Sequence, residues 1–147
     1  MPNLLRNILA TIAGIFFGGG VNGMLIKLSP SLIPPPAGVD VTKAESLATG
    51  IHLFEPRHFI MPFLAHALGT LVGAILAHLI AATNRNLRAY VIGLFFLVGG
   101  IVASMMIPAP TWFKALDLIV AYIPMAWLGA QIGNRVRPDN DTPTPQN

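Results

Sequence analysis

The chain has 147 residues, of which 54% are hydrophobic and 10% charged, and its formal net charge is +3. A soluble domain usually carries about 25% charged residues, so this composition argues against a soluble globule and predicts one domain embedded in lipid. The absence of cysteine excludes disulfides and thiolate chemistry, and the absence of a basic stripe with interleaved aromatic residues argues against nucleic acid as a partner.

Four segments are long and apolar enough to cross a bilayer, which takes about 20 mainly apolar residues per helix. Backbone groups in lipid must bond within their own segment, and no barrel-like alternation is present, so the spans are predicted to be helices. The predicted fold is an all-α four-transmembrane-helix bundle, a single domain over residues 1–137 with spans at about 4–28, 58–82, 87–107 and 112–132. Residues 138–147 are polar and proline-bearing and are predicted to form a flexible tail.

The connections between the spans differ in length. Short connections follow spans two and three, whereas the first connection covers residues 29–57 and is rich in proline. Thr42 and Glu45 have the spacing of a capping box, in which a hydroxyl and a carboxylate cap the start of a helix. This pattern predicts a short interfacial helix over residues 43–49, within the long loop.

Basic residues near the span ends favour an orientation with both termini in the cytoplasm. The first segment is interpreted as a retained span, because it is long and lacks a small-residue cleavage site. The long loop then lies on the outer side of the membrane. In this orientation the inner basic residues are Arg6, Arg85, Arg88, Arg135 and Arg137, and the outer ones are Lys27, Lys43, Arg57 and Lys114.

Glycines spaced four residues apart recur in the predicted spans. Without a hydrophobic driving force between helices in lipid, such pairs favour association because they allow backbones to approach closely. Packing among the four helices of one chain is the favoured interpretation, and docking of a second copy or another membrane protein remains an alternative. The predicted packing residues are Gly14, Gly18, Gly19, Gly23, Gly69, Gly73, Gly129 and Gly133.

Polar residues within the spans are the first candidates for function, because placing them in lipid is costly. Counting about 1.5 Å per residue from the outer helix ends brings Asn22, His66 and Asp117 to similar depth, and Thr70 and Tyr122 extend the group inward. Two interpretations remain open. The group is either a set of structural hydrogen bonds, which the sequence favours, or a proton-linked or ligand-binding pocket.

His52, Glu55 and His58 are weak candidates for a metal site near the outer surface. Imidazole nitrogen and carboxylate oxygen suit zinc, but the spacing matches no established zinc signature. Pro56 also prevents a single helical face through the three residues. The favoured interpretation is a segment at the membrane interface, so no metal is predicted.

Four stretches resemble a group of uncharacterised small bacterial four-helix inner-membrane proteins with no assigned activity. They are residues 32–36 (LIPPP), 52–59 (HLFEPRHF), 66–74 (HALGTLVGA) and 117–124 (DLIVAYIP). The resemblance covers about residues 4–133 and implies a location in the bacterial inner membrane. It implies no catalytic residue, because the group has no assigned activity.

The sequence as a whole favours a non-enzymatic accessory or structural subunit that associates with itself or with a larger membrane complex. One alternative is a small oligomeric transporter or ligand-binding membrane protein that uses Asn22, His66 and Asp117. A weaker alternative is a membrane enzyme acting on a lipid or quinone at the outer face. No cofactor is predicted, and a bound lipid is compatible with the composition.

Overall fold

The computed structural model describes residues 1–138, and this part of the chain contains helices and turns but no strand. Four segments are long and apolar enough to cross a membrane: Asn3–Leu32, Pro56–Ile80, Arg85–Met106 and Thr111–Val136. The predicted all-helical architecture with four helices of membrane-spanning length is therefore confirmed. The predicted tail lies outside the described residues, apart from Pro138. The α-helices are α1 (Asn3–Leu32), α2 (Ala44–Gly50), α3 (Ile60–Ile80), α4 (Arg85–Met106), α5 (Thr111–Val120) and α6 (Ile123–Val136).

The first helix is longer than predicted. It continues through Pro30 and ends at Leu32 rather than at residue 28. Pro30 has no N–H to donate to the carbonyl of Ile26, so one hydrogen bond of the helix is lost, and the helix continues for only two residues beyond the proline. The turn still closes, because the N–H of Ile33 donates to the carbonyl of Ser29 over 2.8 Å.

The fourth span is broken in the middle by Pro124. The helix α5 ends at Val120, and α6 begins at Ile123 with the proline in its first turn. Pro124 has no N–H to donate to the carbonyl of Val120, and its ring would collide with that carbonyl in a continuous helix. The residues at the break, Ala121 and Tyr122, are consequently free to leave the helical path.

The central helix is α3, which packs against α1, α4 and α6. The closest approach is to α1 and depends on glycine. A Cβ atom on Gly14 would lie 2.6 Å from the carbonyl oxygen of Gly73, and one on Gly18 would lie 2.5 Å from that of Gly69. Only glycine permits backbones to approach to this distance, so two of the predicted glycine pairs meet across the antiparallel α1–α3 contact.

The other two glycine pairs differ from each other. Gly129 packs against the backbone and Ala74 of α3, and Gly133 packs against the ring of His78. By contrast, a Cβ on Gly19 or Gly23 would meet no atom within 4 Å. Within residues 1–138 these two glycines therefore do not pack against another helix, in contrast to the interpretation favoured by the sequence.

The long loop folds over one end of the bundle through α2 and two 3-10 turns, Ile51–Leu53 and Pro56–Phe59. The predicted capping box is wrong. The hydroxyl of Thr42 donates to the carboxylate of Asp40 over 2.6 Å instead, and Lys43 precedes α2 without a side-chain cap. A charged acceptor forms the stronger hydrogen bond, which explains the preference. The hydrogen bonds from the hydroxyl and the N–H of Thr42 lower the pKa of Asp40.

The two ends of the bundle carry different parts of the chain. The loop end carries the C-terminal end of α1, residues 33–59 and the connection from α4 to α5. The terminal end carries the start of α1, the turn from α3 to α4 and the C-terminal end of α6.

Candidate functional site

A histidine and an aspartate from different helices meet near the loop end. Nδ1 of His66, on α3, lies 2.8 Å from Oδ1 and 2.9 Å from Oδ2 of Asp117, on α5. The carboxylate side chain is 7% exposed and the imidazole 21% exposed. The aspartate is therefore enclosed, whereas part of the histidine ring remains accessible.

Tyr122 supplies a second hydrogen bond to the same carboxylate. Its hydroxyl donates to Oδ2 of Asp117 over 3.0 Å, and its ring stacks on the ring of His66 with centroids 5.9 Å apart. The break before α6 lets the tyrosine side chain turn back toward α5. Gly100 on α4 makes room for the hydroxyl, since a Cβ at that position would collide with it.

The remaining members of the predicted polar group are placed differently. The hydroxyl of Thr70 donates to the backbone carbonyl of His66 over 2.8 Å, so it is bonded within α3 and does not bind the carboxylate of Asp117. Asn22 packs beside Gly69, and its Oδ1 is buried with no hydrogen-bond partner among the described residues. The structure thus joins His66, Asp117 and Tyr122, without Asn22.

The geometry assigns a role to each nitrogen of the His66 ring. A carboxylate accepts hydrogen bonds, so the proton of a neutral imidazole resides on Nδ1, which faces Asp117. Nε2 then carries a lone pair and has no protein partner in the described part of the chain. A buried carboxylate behind Nδ1 fixes the ring and makes Nε2 a better acceptor, as in other carboxylate–histidine pairs.

A cavity of about 270 Å³ opens beside this pair. His66 and Asp117 contribute to its wall, together with Gly100 and Lys114. Most of the remaining wall is apolar, and it comes from the end of α1, the long loop, the start of α3, the end of α4 and α5. Apolar lining residues include Ile26, Ile33, Val41, Leu47, Ile51 and Phe113. The cavity is thus an apolar chamber with a few polar groups, the usual character of a small-molecule site.

The weak metal candidates do not assemble. No group of three or more histidine, aspartate or glutamate side chains within residues 1–138 is placed to hold a metal ion. Nδ1 of His58 accepts the backbone N–H of Glu55 over 2.9 Å, and the Glu55 carboxylate pairs with Arg57 over 3.0 Å. These contacts order the turn before α3, and His58 is buried where it borders the cavity.

Sequence reasoning missed the cavity itself. The sequence indicates the polar wall, because His66 and Asp117 lie within predicted spans. The apolar wall depends on the loop folding back over the bundle. The signal available was the recurrence of large apolar residues in a loop, where a solvent-exposed segment would be polar. Sequence reasoning also missed Asn7, which is buried and binds Ala82 and Thr83 after α3.

Comparison with protein-family models, curated proteins and solved structures found no match to the chain.

Proposed function

We propose that the protein is a ligand-binding membrane protein that holds a small, mainly apolar molecule in the cavity at the loop end. The observation that carries this proposal is the partly exposed ring of His66, which binds Asp117 through Nδ1 and lines a mainly apolar chamber. A lone pair in such a place recognises a hydrogen-bond donor. The proposed ligand class is therefore an apolar molecule with a hydroxyl group, such as a short isoprenoid alcohol.

The size of the cavity limits the ligand. Pockets for drug-sized molecules occupy about 300–1,000 Å³, and this cavity, at about 270 Å³, lies just below that range. A molecule with one short apolar chain fits, whereas the two acyl chains of a phospholipid do not. The sequence alone favours an accessory subunit, but a carboxylate-backed histidine that faces a cavity gives more specific support to binding.

The orientation and location complete the proposal. The five arginines of α1, α4 and the C-terminal end of α6 belong to the terminal end, which is the pattern expected of a cytoplasmic face. The resemblance to bacterial inner-membrane proteins favours that membrane. The ligand cavity then lies near the outer face, where small molecules enter from outside the cell or from the outer leaflet.

A second candidate function is the accessory role, in which the protein associates with itself or with a larger membrane complex. It is favoured by Gly19 and Gly23, which form a close-packing motif on α1 but contact no other helix of the chain. The two functions are compatible, because neither Gly19 nor Gly23 lines the cavity.

The first prediction concerns the cavity. Geraniol, a short isoprenoid alcohol, is expected to bind saturably to the protein in lipid nanodiscs, and Ala103→Phe should weaken that binding at least about tenfold, because the ring fills space that Ala103 now borders. Geranyl methyl ether, which has no donor, partitions into the lipid similarly and measures the non-specific background. Equilibrium dialysis with radiolabelled ligand gives both values.

The matched control is Val102→Phe, since Val102 adjoins Ala103 and is 51% exposed on the outside of α4. This variant should bind geraniol as the unmodified protein does. Absence of saturable geraniol binding, or an equal loss in the two variants, would contradict the proposed function.

A further inference from the structure

The terminal end carries a cluster of arginines from three helices. We use the name arginine cluster for Arg6, Arg85, Arg88 and Arg137. Nε of Arg6 donates to the carbonyl of Ile80 over 2.7 Å, and a terminal nitrogen of Arg137 donates to the carbonyl of Leu79. Two guanidinium groups thus bind neighbouring carbonyls at the C-terminal end of α3, where cations are favoured by the helix dipole.

The two arginines of α4 extend this group. Arg85 is 9% exposed and donates to the carbonyl of Pro138. Arg88 lies one turn before Ile92, whose side chain meets Gly14 of α1, so Arg88 faces α1 as well. The cluster is therefore contributed by the first turns of α1 and α4 and by the residue that follows α6.

Unpartnered polar atoms concentrate at the same end of the bundle. Nε of Arg85 and Nε of Arg88 are buried with no hydrogen-bond partner among the described residues. His78 is fully buried, and its Nδ1 also has no hydrogen-bond partner among the described residues. Nε2 of the same ring lies 3.1 Å from the carbonyl of Arg137. Buried donors without acceptors are costly, and no described residue supplies an acceptor for Nε of Arg85 or Nε of Arg88.

No acidic side chain within residues 1–138 compensates the charge of the cluster. The acidic residues within residues 1–138 are Asp40, Glu45, Glu55 and Asp117. The first three belong to the loop end, and Asp117 lies on α5 beside the cavity at that end. Backbone carbonyls carry only partial negative charge. Burial, together with the charges of Arg85 and Arg6, lowers the pKa of Arg137, which indicates that these cations lie close enough to repel one another.

We propose that the arginine cluster binds the phosphate group of an anionic phospholipid. Guanidinium groups present paired donors that match phosphate oxygens, and several of them around one anion satisfy both the unpartnered N–H groups and the excess charge. Basic pockets between helices at a membrane face are suited to such headgroups.

The position of the cluster favours a lipid over free phosphate as the source of the anion. Arg6 lies in the first turn of one span, Arg85 begins another, and Arg137 directly follows a third. These positions correspond to the level of the headgroups when the helices cross a bilayer. The neighbouring surface of α1 is apolar, with Leu5, Leu9 and Ile12 exposed, so acyl chains can lie against it.

The test uses the full-length protein in detergent micelles and native mass spectrometry with added phosphatidylglycerol, phosphatidylcholine or inorganic phosphate. Phosphatidylglycerol should remain bound, and Arg88→Gln should weaken its binding about fivefold, the effect of one arginine at an anionic surface. Arg88 is the informative position, because no described hydrogen bond of its guanidinium supports the fold. Arg135→Gln is the matched control: the same charge is removed from an exposed side chain at the same end, and binding should fall less than about twofold.

Four outcomes would overturn the proposal. Equal retention of the two lipids, or an equal effect of the two substitutions, would show that the cluster does not select an anionic headgroup. Competition by millimolar inorganic phosphate would assign the site to free phosphate. Binding that appears only after Asp139→Asn/Asp141→Asn would show that the cluster is occupied by the chain's own acidic residues beyond Pro138.

Discussion

Replacing Gly18 by alanine is expected to destabilise the folded bundle by about 1–3 kcal/mol, the range typical of overpacking a close contact. The added methyl group would lie 2.5 Å from the carbonyl oxygen of Gly69. This oxygen belongs to the backbone of α3, so it cannot move aside as the end of a flexible side chain can. The α1 and α3 helices must separate instead, which weakens the largest helix contact of the bundle. Reversible unfolding by sodium dodecyl sulfate, followed by circular dichroism, measures the change in free energy.

The control lies next to it in the chain. Gly19→Ala adds the same methyl group to the same helix where no atom lies within 4 Å, so the free energy of unfolding should stay within about 0.5 kcal/mol. Analytical ultracentrifugation of Gly19→Ala measures self-association. It therefore tests whether Gly19 contacts a second copy of the chain, separately from its effect on the folding of one copy. Equal destabilisation by the two alanines would contradict the described α1–α3 contact.

Asp117→Asn is expected to weaken geraniol binding about tenfold, which corresponds to about 1.4 kcal/mol. Asparagine keeps the shape of the side chain but removes the charge that orients His66 and strengthens Nε2 as an acceptor. The cavity keeps its volume, so the effect reports on the polar group alone. The same dialysis measurement with geraniol in nanodiscs gives the affinity.

Two comparisons define this result. Glu55→Gln makes the same chemical change in the exposed ion pair with Arg57 and should leave geraniol binding unchanged. Tyr122→Phe removes one of the two donors to the carboxylate of Asp117 and keeps the ring stacked on His66. Its effect on geraniol binding should therefore be smaller than that of Asp117→Asn and larger than that of Glu55→Gln. An unchanged affinity in Asp117→Asn would show that the pair serves only to hold the helices together.

The sequence predicted the four spans because each depends on local composition and length. The ends were less accurate, since Pro30 stays within α1 and the hydroxyl of Thr42 binds Asp40 rather than capping α2. The contact of Thr42 is decided by a carboxylate two residues away, which competes with the start of α2 for the same hydroxyl. Composition does not rank such competitors.

Part of the candidate site could be predicted from the distance of each polar residue from the end of its helix. Depth placed His66 and Asp117 at the same level, but it contains no information on the direction in which each helix face points. Asn22 shares that depth and still makes no hydrogen bond to Asp117, whereas Tyr122 reaches it because Pro124 breaks the span. The cavity depends on the long loop, whose path no periodicity predicts.

The most direct measurement of the proposed site is the nitrogen-15 spectrum of the His66 ring in the full-length protein in nanodiscs, assigned by its loss in His66→Gln. We expect the proton of the neutral ring on Nδ1, and an Nε2 resonance that shifts when geraniol is added but not when geranyl methyl ether is added, because only the alcohol donates to the lone pair. A ring with its proton on Nε2, or an Nε2 resonance that responds equally to the two compounds, would contradict a donor-binding site at His66.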